Sequence, residues 1–209
     1  MKLLVVTPDF PPEAGGPASA SWELLQRLPP GVGVKVVSFS PEKREKVSGV
    51  FWVQTSSLQI WRQFRLFLKC LLVGRRTNIF LLMEPGVVGP AGLLAAKILG
   101  KRAIVKYFGD PVWEEKQRRR ETDLSITEFL SIKQNRFNLR SLLSWLVVKY
   151  SDKIITPFDF LAQILEEYYG LARDKIVVLH SPSEIPGTIP VNRKSEWGNY
   201  VRKIKNVLG

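Results

Sequence analysis

Two carboxylates and a pair of glycines are the residues of this chain best suited to chemistry. Glu84 precedes Pro85-Gly86, and Asp110 stands between Gly109 and Pro111, each just after an apolar run. A carboxylate so placed can bind a hydroxyl group or take a proton from one, and it can equally cap a turn of its own loop. Gly15-Gly16 lies directly before Pro17-Ala18-Ser19-Ala20, where a helix starts and proline suits its first position. Backbone N–H groups at such a start, with no Cβ in the way, can approach a phosphate closely. His180, the only histidine, ends another apolar run and is read as structural.

These residues sit at the junctions of an alternating series. Leu3 to Val6 reads as a short buried strand, ended by Thr7-Pro8-Asp9, and Ala18 to Leu28 as a helix stopped at Pro29-Pro30. Strands follow at Val34 to Phe39, at Val50 to Gln54 near a sheet edge, at Asn78 to Met83 and at Arg102 to Tyr107. Later strands are expected at Lys153 to Thr156 and Lys175 to Leu179. Helices are expected at Leu58 to Leu72, Gly89 to Leu99, within Ser125 to Tyr150 and at Asp159 to Tyr169. Gly31-x-Gly33 precedes a strand instead of following one, so it is a turn and no dinucleotide loop. The pattern predicts an α/β fold: a single Rossmann-like, doubly wound, mainly parallel sheet flanked by helices. In such sheets ligands bind at the carboxyl ends of the strands, which here carry Thr7, Asp9, Ser38, Ser40, Glu84, Gly86, Gly109, Asp110, Thr156, His180 and Ser181. Residues 1–185 form this domain. Residues 186–209 are expected to be a turn-rich linker and a closing basic helix, with Trp197, Val201, Ile204 and Leu208 at helical spacing.

At 209 residues and 45% hydrophobic content the chain suits one core rather than two. Its 31 Lys plus Arg against 19 Asp plus Glu give a net charge of +12, which points to an anionic partner. Nucleic acid is disfavoured, because no recognisable motif or aromatic-basic platform accompanies the charge. Arg62, Arg65 and Lys69 fall at i, i+3, i+7 beside Trp61, Leu58, Leu66 and Leu72, so they form one basic stripe. That stripe suits a helix lying on an anionic membrane, or the solvated face of a core helix. Arg118, Arg119 and Arg120 lie in GDPVWEEKQRRRETD, read as a solvated loop or short helix, or as an anion-binding lid. A single cysteine, Cys70, leaves no internal disulfide and no multi-cysteine metal site, and fits a reducing compartment. The first apolar run is too short for a signal peptide and no span is long and uncharged enough to cross a bilayer. The expected location is cytoplasmic, with a peripheral seat at a membrane as the option the basic surface adds.

Three stretches taken in order resemble the N-terminal half of GT-B nucleotide-sugar glycosyltransferases, specifically the family-4 group of retaining enzymes. LLVVTPDFPPEAGGPA is similar to the family's opening strand and glycine loop. EPGVVGPAGLLAAKILGKRAIVKYFGDPVWE is similar to its fourth strand, helix and fifth strand, and SDKIITPFDFLAQILEEYYGLARDKIVVLHSP to the end of its N-domain. The resemblance implies an acceptor-side domain that closes on a nucleotide-sugar donor, with no other cofactor and no metal. It implies Gly15 and Gly16 at the donor diphosphate, and the Gly109-Asp110 region and the loop after Glu84, with Gly86, facing the transferred sugar or a lipid-linked acceptor. The rim position adds Asp9 and Glu84 as substrate-binding candidates and Asp110 as the catalytic one. The family's donor half, with its phosphate clamp and glutamate pair, is expected after the linker; residues 187–209 hold neither. A donor-binding domain acting in trans is therefore the expected partner, and a non-catalytic half that binds a membrane or another protein is the alternative. Where many relatives place a histidine, this chain has Gly109-Asp110-Pro111, as some branches do.

Overall fold

The computed structural model describes residues 1–13, 16–28, 31–40, 44–132, 139–180 and 193–208, with the backbone alone for 193–197. Its strands are β1 (Lys2–Thr7), β2 (Gly33–Ser40), β3 (Val50–Gln54), β4 (Ile79–Leu82), β5 (Arg102–Lys106), β6 (Lys153–Thr156) and β7 (Ile176–Val178). Its helices are α1 (Gly16–Arg27), α2 (Gln59–Gly74), α3 (Gly89–Ile98), α4 (Pro111–Arg118), α5 (Ile126–Ser131), α6 (Leu139–Tyr150), α7 (Asp159–Glu167) and α8 (Arg193–Leu208). All seven strands are parallel in one sheet of order β3-β2-β1-β4-β5-β6-β7, so β3 is indeed an edge. The predicted doubly wound architecture is therefore what the chain adopts.

The pleat sorts the strand side chains into two cores. Leu4, Val6, Phe80, Leu82, Ala103, Val105 and Ile154 face the layer made by α2 to α7. Leu3, Val5, Ile79, Leu81, Ile104 and Ile155 face α1 and α8. Because both faces are covered, β1 and β4 read as unbroken apolar runs, which is why they stand out in the sequence. Tyr200, Val201, Ile204 and Leu208 of α8 are buried in the second core, and Arg102 Nη1 donates to the Leu208 carbonyl at 3.2 Å, satisfying an acceptor at that helix end. The closing helix is thus part of the fold. The linker, Pro29-Pro30, Ser181 and the side chain of Trp197 lie outside the described residues.

Two helix faces differ from what the sequence suggests. Leu142, Leu143, Leu146 and Val147 share one side of the helix expected at Leu139 to Tyr150, and the basic stripe is the expected outer side of α2. On α6 the buried residues are Ser144, Val147 and Val148, while Leu142 points outward. The cause is close packing: a Cβ on Gly89 would lie 2.9 Å from Val147 Cγ1, so α6 meets α3 through small and β-branched residues rather than through its leucines. On α2 the buried residues are Leu66, Cys70, Val73 and Gly74. Its outward side is not the basic stripe but an arc of large apolar side chains, with Arg65 at the arc's edge and Arg62 tucked so that its guanidinium lies 5.4 Å from the Phe39 ring centre. Sequence periodicity could not separate these faces, because α2 is apolar nearly all round.

Cys70 is fully buried, and burial pushes its thiol up to about 12. Iodoacetamide at about pH 8 should therefore leave the native protein unmodified and alkylate Cys70 only after denaturation. Labelling of the native protein at the rate of a free thiol would contradict this placement.

Candidate functional site

The strand order reverses between β1 and β4, and in sheets of this kind the loops leaving the two strands diverge there and open a crevice. Three loops border it: the one after β1, the one after β4 and the one after β5.

The first loop is anchored from below. Thr7 Oγ1 donates to the Asp9 carbonyl at 2.8 Å, and the Phe10 ring is buried with edge contacts to Trp22 and Trp52, at centroid separations of 5.9 and 5.8 Å. Glu13 pairs with Arg44, whose Nε also donates to Ser40 Oγ at 3.1 Å. Asp9 lies exposed above this base, with its carboxyl drawn above the ordinary range by partial removal from water and then by the Glu13 charge. Helix α1 begins at Gly16, where an added Cβ would meet nothing within 4 Å among the described residues. The helix start is therefore open rather than packed. Gly15 lies outside the described residues.

The second and third loops are packed into one unit. Glu84 turns back on its own loop: Oε2 accepts from Gly86 N at 3.1 Å, and Oε1 accepts from Val87 N and from Val88 N, the latter at 2.8 Å. Gln63 Nε2 of α2 donates to the Val87 carbonyl at 2.7 Å. Gly86 abuts Pro111, with a Cβ position 2.9 Å from Pro111 Cβ, and the Cβ position of Gly109 is 2.6 Å from Glu114 Oε1. Glu84, Gly86, Gly109 and Asp110, distant in sequence, are thus neighbours.

Asp110 is only 4% exposed and is the N-cap of α4. Its Oδ1 accepts from Val112 N and Trp113 N, each at 2.9 Å, and Oδ2 accepts from the Tyr169 hydroxyl at 3.0 Å. Tyr107 in turn donates to the Tyr169 hydroxyl at 3.4 Å. Proton transfer at Asp110 would have to displace the Tyr169 contact. The cap was legible, since Asp followed by Pro is an N-cap and first-position pair. The two tyrosines were not, because nothing local in the sequence ties position 169 to position 110.

Glu114 is the site residue that sequence reasoning missed. Burial first, then Glu84 and then Asp110, raise its carboxyl above the ordinary range, against smaller opposing effects of Arg118 and Arg140. Glu84 is raised as well, by burial, although the N–H groups of Val88, Val87 and Gly86 and the charge of Arg140 oppose it. A carboxyl whose folded value is raised favours folding when protonated, and that contribution is lost as pH rises through the raised value. Glu114→Gln should therefore raise the melting temperature at neutral pH, and the gain should close as pH falls towards about 4.3, the ordinary glutamate value. Melting curves of both proteins across that window test this; a gain that stays constant with pH would refute the electrostatic cause.

The remaining candidates are dispersed. Arg119 pairs with Glu115 at 2.6 Å and, more loosely, with Glu121. Arg120 takes φ 57° and closes α4, with Arg120 N bonded to Gln117 O and Glu121 N to Lys116 O, a helix stop usually given to glycine. Arg118 lies exposed at the end of α4. Arg62, Arg65 and Lys69 lie on α2, outside the three loops. Thr156 is fully buried at the end of β6, and His180 is exposed, with its ring 6.3 Å from that of Phe158.

No protein-family profile matches the chain and no curated protein matches it. Solved structures do. UDP-GlcNAc 2-epimerase from Methanocaldococcus jannaschii superposes with a TM-score of 0.57 at 13% identity, over 86% of this chain and 45% of that one. The Neisseria meningitidis UDP-GlcNAc 2-epimerase bound to UDP-GlcNAc gives 0.55 at 16% identity, over 86% and 46%. A ugt transferase from Siraitia grosvenorii in complex with UDP gives 0.52 at 12% identity, over 98% and 52%. The chain spans about half the length of these structures. At such identities the likeness concerns the fold alone, a Rossmann-like parallel sheet flanked by helices that these GT-B-like structures also contain.

Proposed function

We propose that this domain is the acceptor-side half of a retaining, family-4-like glycosyltransferase, moving a sugar from a nucleotide-sugar donor to a lipid-linked acceptor together with a donor-binding domain. The observation that carries the reading is the open start of α1 at the crevice where the strand order reverses. In glycosyl transfer from such donors the leaving diphosphate gathers negative charge, and fixed N–H dipoles aimed at it lower the barrier. Gly15 and Gly16 are assigned to that diphosphate. Asp9, which is exposed, and Gly86 and Gly109 are assigned to the sugar and acceptor side. Glu84 and Asp110 act as positioning residues: each fixes the backbone of a loop that borders the crevice. One helix start neutralises only part of a diphosphate, so the second domain contributes the rest of the clamp and the half alone turns donor over slowly or not at all.

Thermal shift with UDP- and GDP-sugars, on the domain alone and mixed with candidate donor domains, tests this. A rise in melting temperature with one nucleotide is expected. No shift with any donor in either format overturns the reading and leaves a non-catalytic binding half. Gly16→Val sharpens the test, because its Cβ meets none of the described residues within 4 Å and the domain should stay folded, yet the side chain crowds a phosphate at the helix start and should weaken donor binding by about tenfold or more.

A further inference from the structure

The outward arc of α2 is the most apolar exposed surface of the described molecule. Ile60 is 84% exposed, Trp61 53%, Phe64 46%, Leu68 40% and Leu72 66%, and Leu58 just before the helix is exposed too. On an ideal helix these positions share one side, and the Trp61 and Phe64 rings touch edge to face with centroids 5.7 Å apart. Isolated exposed leucines are ordinary, but a contiguous row of this kind marks a contact surface. Its charge is one-sided. From Lys46 to Met83 the chain has no Asp or Glu; Arg65 and Lys69 fall within about 40° of one another along one edge of the arc, and Arg75 and Arg76 lie exposed just past its C-terminal end.

We propose that α2 is an interfacial helix that seats this domain on an anionic phospholipid surface, with the apolar arc in the acyl boundary and Arg65, Lys69, Arg75 and Arg76 at phosphate level. The complementarity selects this occupant. A second copy with its α2 packed antiparallel would set one all-basic edge against another, and in the parallel arrangement α2, without Asp or Glu, has no counter-charge to offer that edge. No helix among the described residues is long and apolar enough to cross a membrane, so the contact is peripheral. The seat is coupled to the crevice. Helix α2 leaves β3 and returns to the start of β4, so Ile60, Trp61 and Phe64 lie at its crevice end, and Gln63 beside them holds the Val87 carbonyl of the β4 loop.

The inference stands on α2 alone, and a failed donor-binding experiment would leave it untouched. The test is flotation of the whole chain with vesicles of phosphatidylcholine, and of phosphatidylcholine mixed with phosphatidylglycerol, with light scattering to follow self-association. The protein should float with the anionic vesicles only, and less as salt is raised. Trp61→Ser/Phe64→Ser/Leu68→Ser should lower partitioning by about tenfold or more, and Arg65→Ser/Arg75→Ser/Arg76→Ser by about fivefold per charge removed. Both sets lie on exposed side chains and should keep the wild-type circular dichroism spectrum. Absence of flotation, or flotation unchanged in both variants, overturns the proposal. So does a dimer that the apolar variant converts to monomer while the wild type ignores vesicles.

Discussion

Asp110→Ala should lower the stability of the domain by about 3 kcal/mol, a fall in melting temperature of about 6–12 °C for a chain of this size. The loss has two parts. Removing an N-cap acceptor costs about 1 kcal/mol, here with two N–H groups, those of Val112 and Trp113, losing their partner. The Tyr169 hydroxyl, buried beneath, loses its acceptor as well, and an unsatisfied buried donor costs about 1–3 kcal/mol. Asp110→Asn should cost less, since its carbonyl oxygen still caps α4. Tyr169→Phe removes only the second part, so a double-mutant cycle of Asp110→Ala with Tyr169→Phe should give a coupling of about 1 kcal/mol or more. A coupling near zero would mean that the buried hydrogen bond contributes nothing. An Asp110→Ala protein that melts like wild type would remove Asp110 from its place as the organiser of the third crevice loop.

Gly74→Ala should also destabilise strongly, although alanine is the better helix former by about 1 kcal/mol. The added Cβ would lie 2.2 Å from Phe80 Cζ, 2.9 Å from Phe80 Cε2 and 3.2 Å from Leu99 Cδ1. Phe80 is fully buried in β4, whose neighbours β1 and β5 fix its backbone on both sides, so the ring has little room to retreat. Overpacking costs about 1–3 kcal/mol, and a 2.2 Å approach to a confined ring belongs at the upper end. Against the propensity gain of about 1 kcal/mol the balance is a net loss of about 2 kcal/mol, read from chemical denaturation. Adding Phe80→Leu, which frees the space taken by the ring, should recover part of the loss. Gly16→Ala is the contrast: it meets nothing, and the same denaturation experiment should find it neutral or stabilising. If the two glycines respond alike, close packing is not what holds Gly74.

The sheet was legible in the sequence because its central strands are covered on both faces, so Leu3 to Val6 and Ile79 to Leu82 are uninterrupted apolar runs between turn residues. The gathering of Glu84, Gly86, Gly109 and Asp110 followed from that, since parallel strands bring all their carboxyl ends to one rim. What those side chains do there was only partly legible. Glu84 before Pro-Gly and Asp110 before Pro carry turn and cap signatures, but the Asp110–Tyr169–Tyr107 chain depends on where the segment just after α7 meets the loop after β5, which no local pattern encodes. The solvent side of α2 was misplaced for a different reason. Charges are the usual guide to an exposed face, yet Arg62 lays its guanidinium over Phe39 while Ile60 and Trp61 face outward. That reversal is informative, because a helix that exposes its apolar side has a surface to meet.

The central claim is that the crevice between β1 and β4 receives a nucleoside diphosphate at the start of α1. Amide chemical-shift mapping with UDP, at concentrations on the order of 10 mM to catch the weak binding of a half-site, tests it most directly. The expected result is a saturable shift of the Gly16, Ala18 and Ser19 amides together with Gly86 to Val88, abolished in Gly16→Val. Shifts confined to the basic edge of α2, or no shift at all, would contradict it.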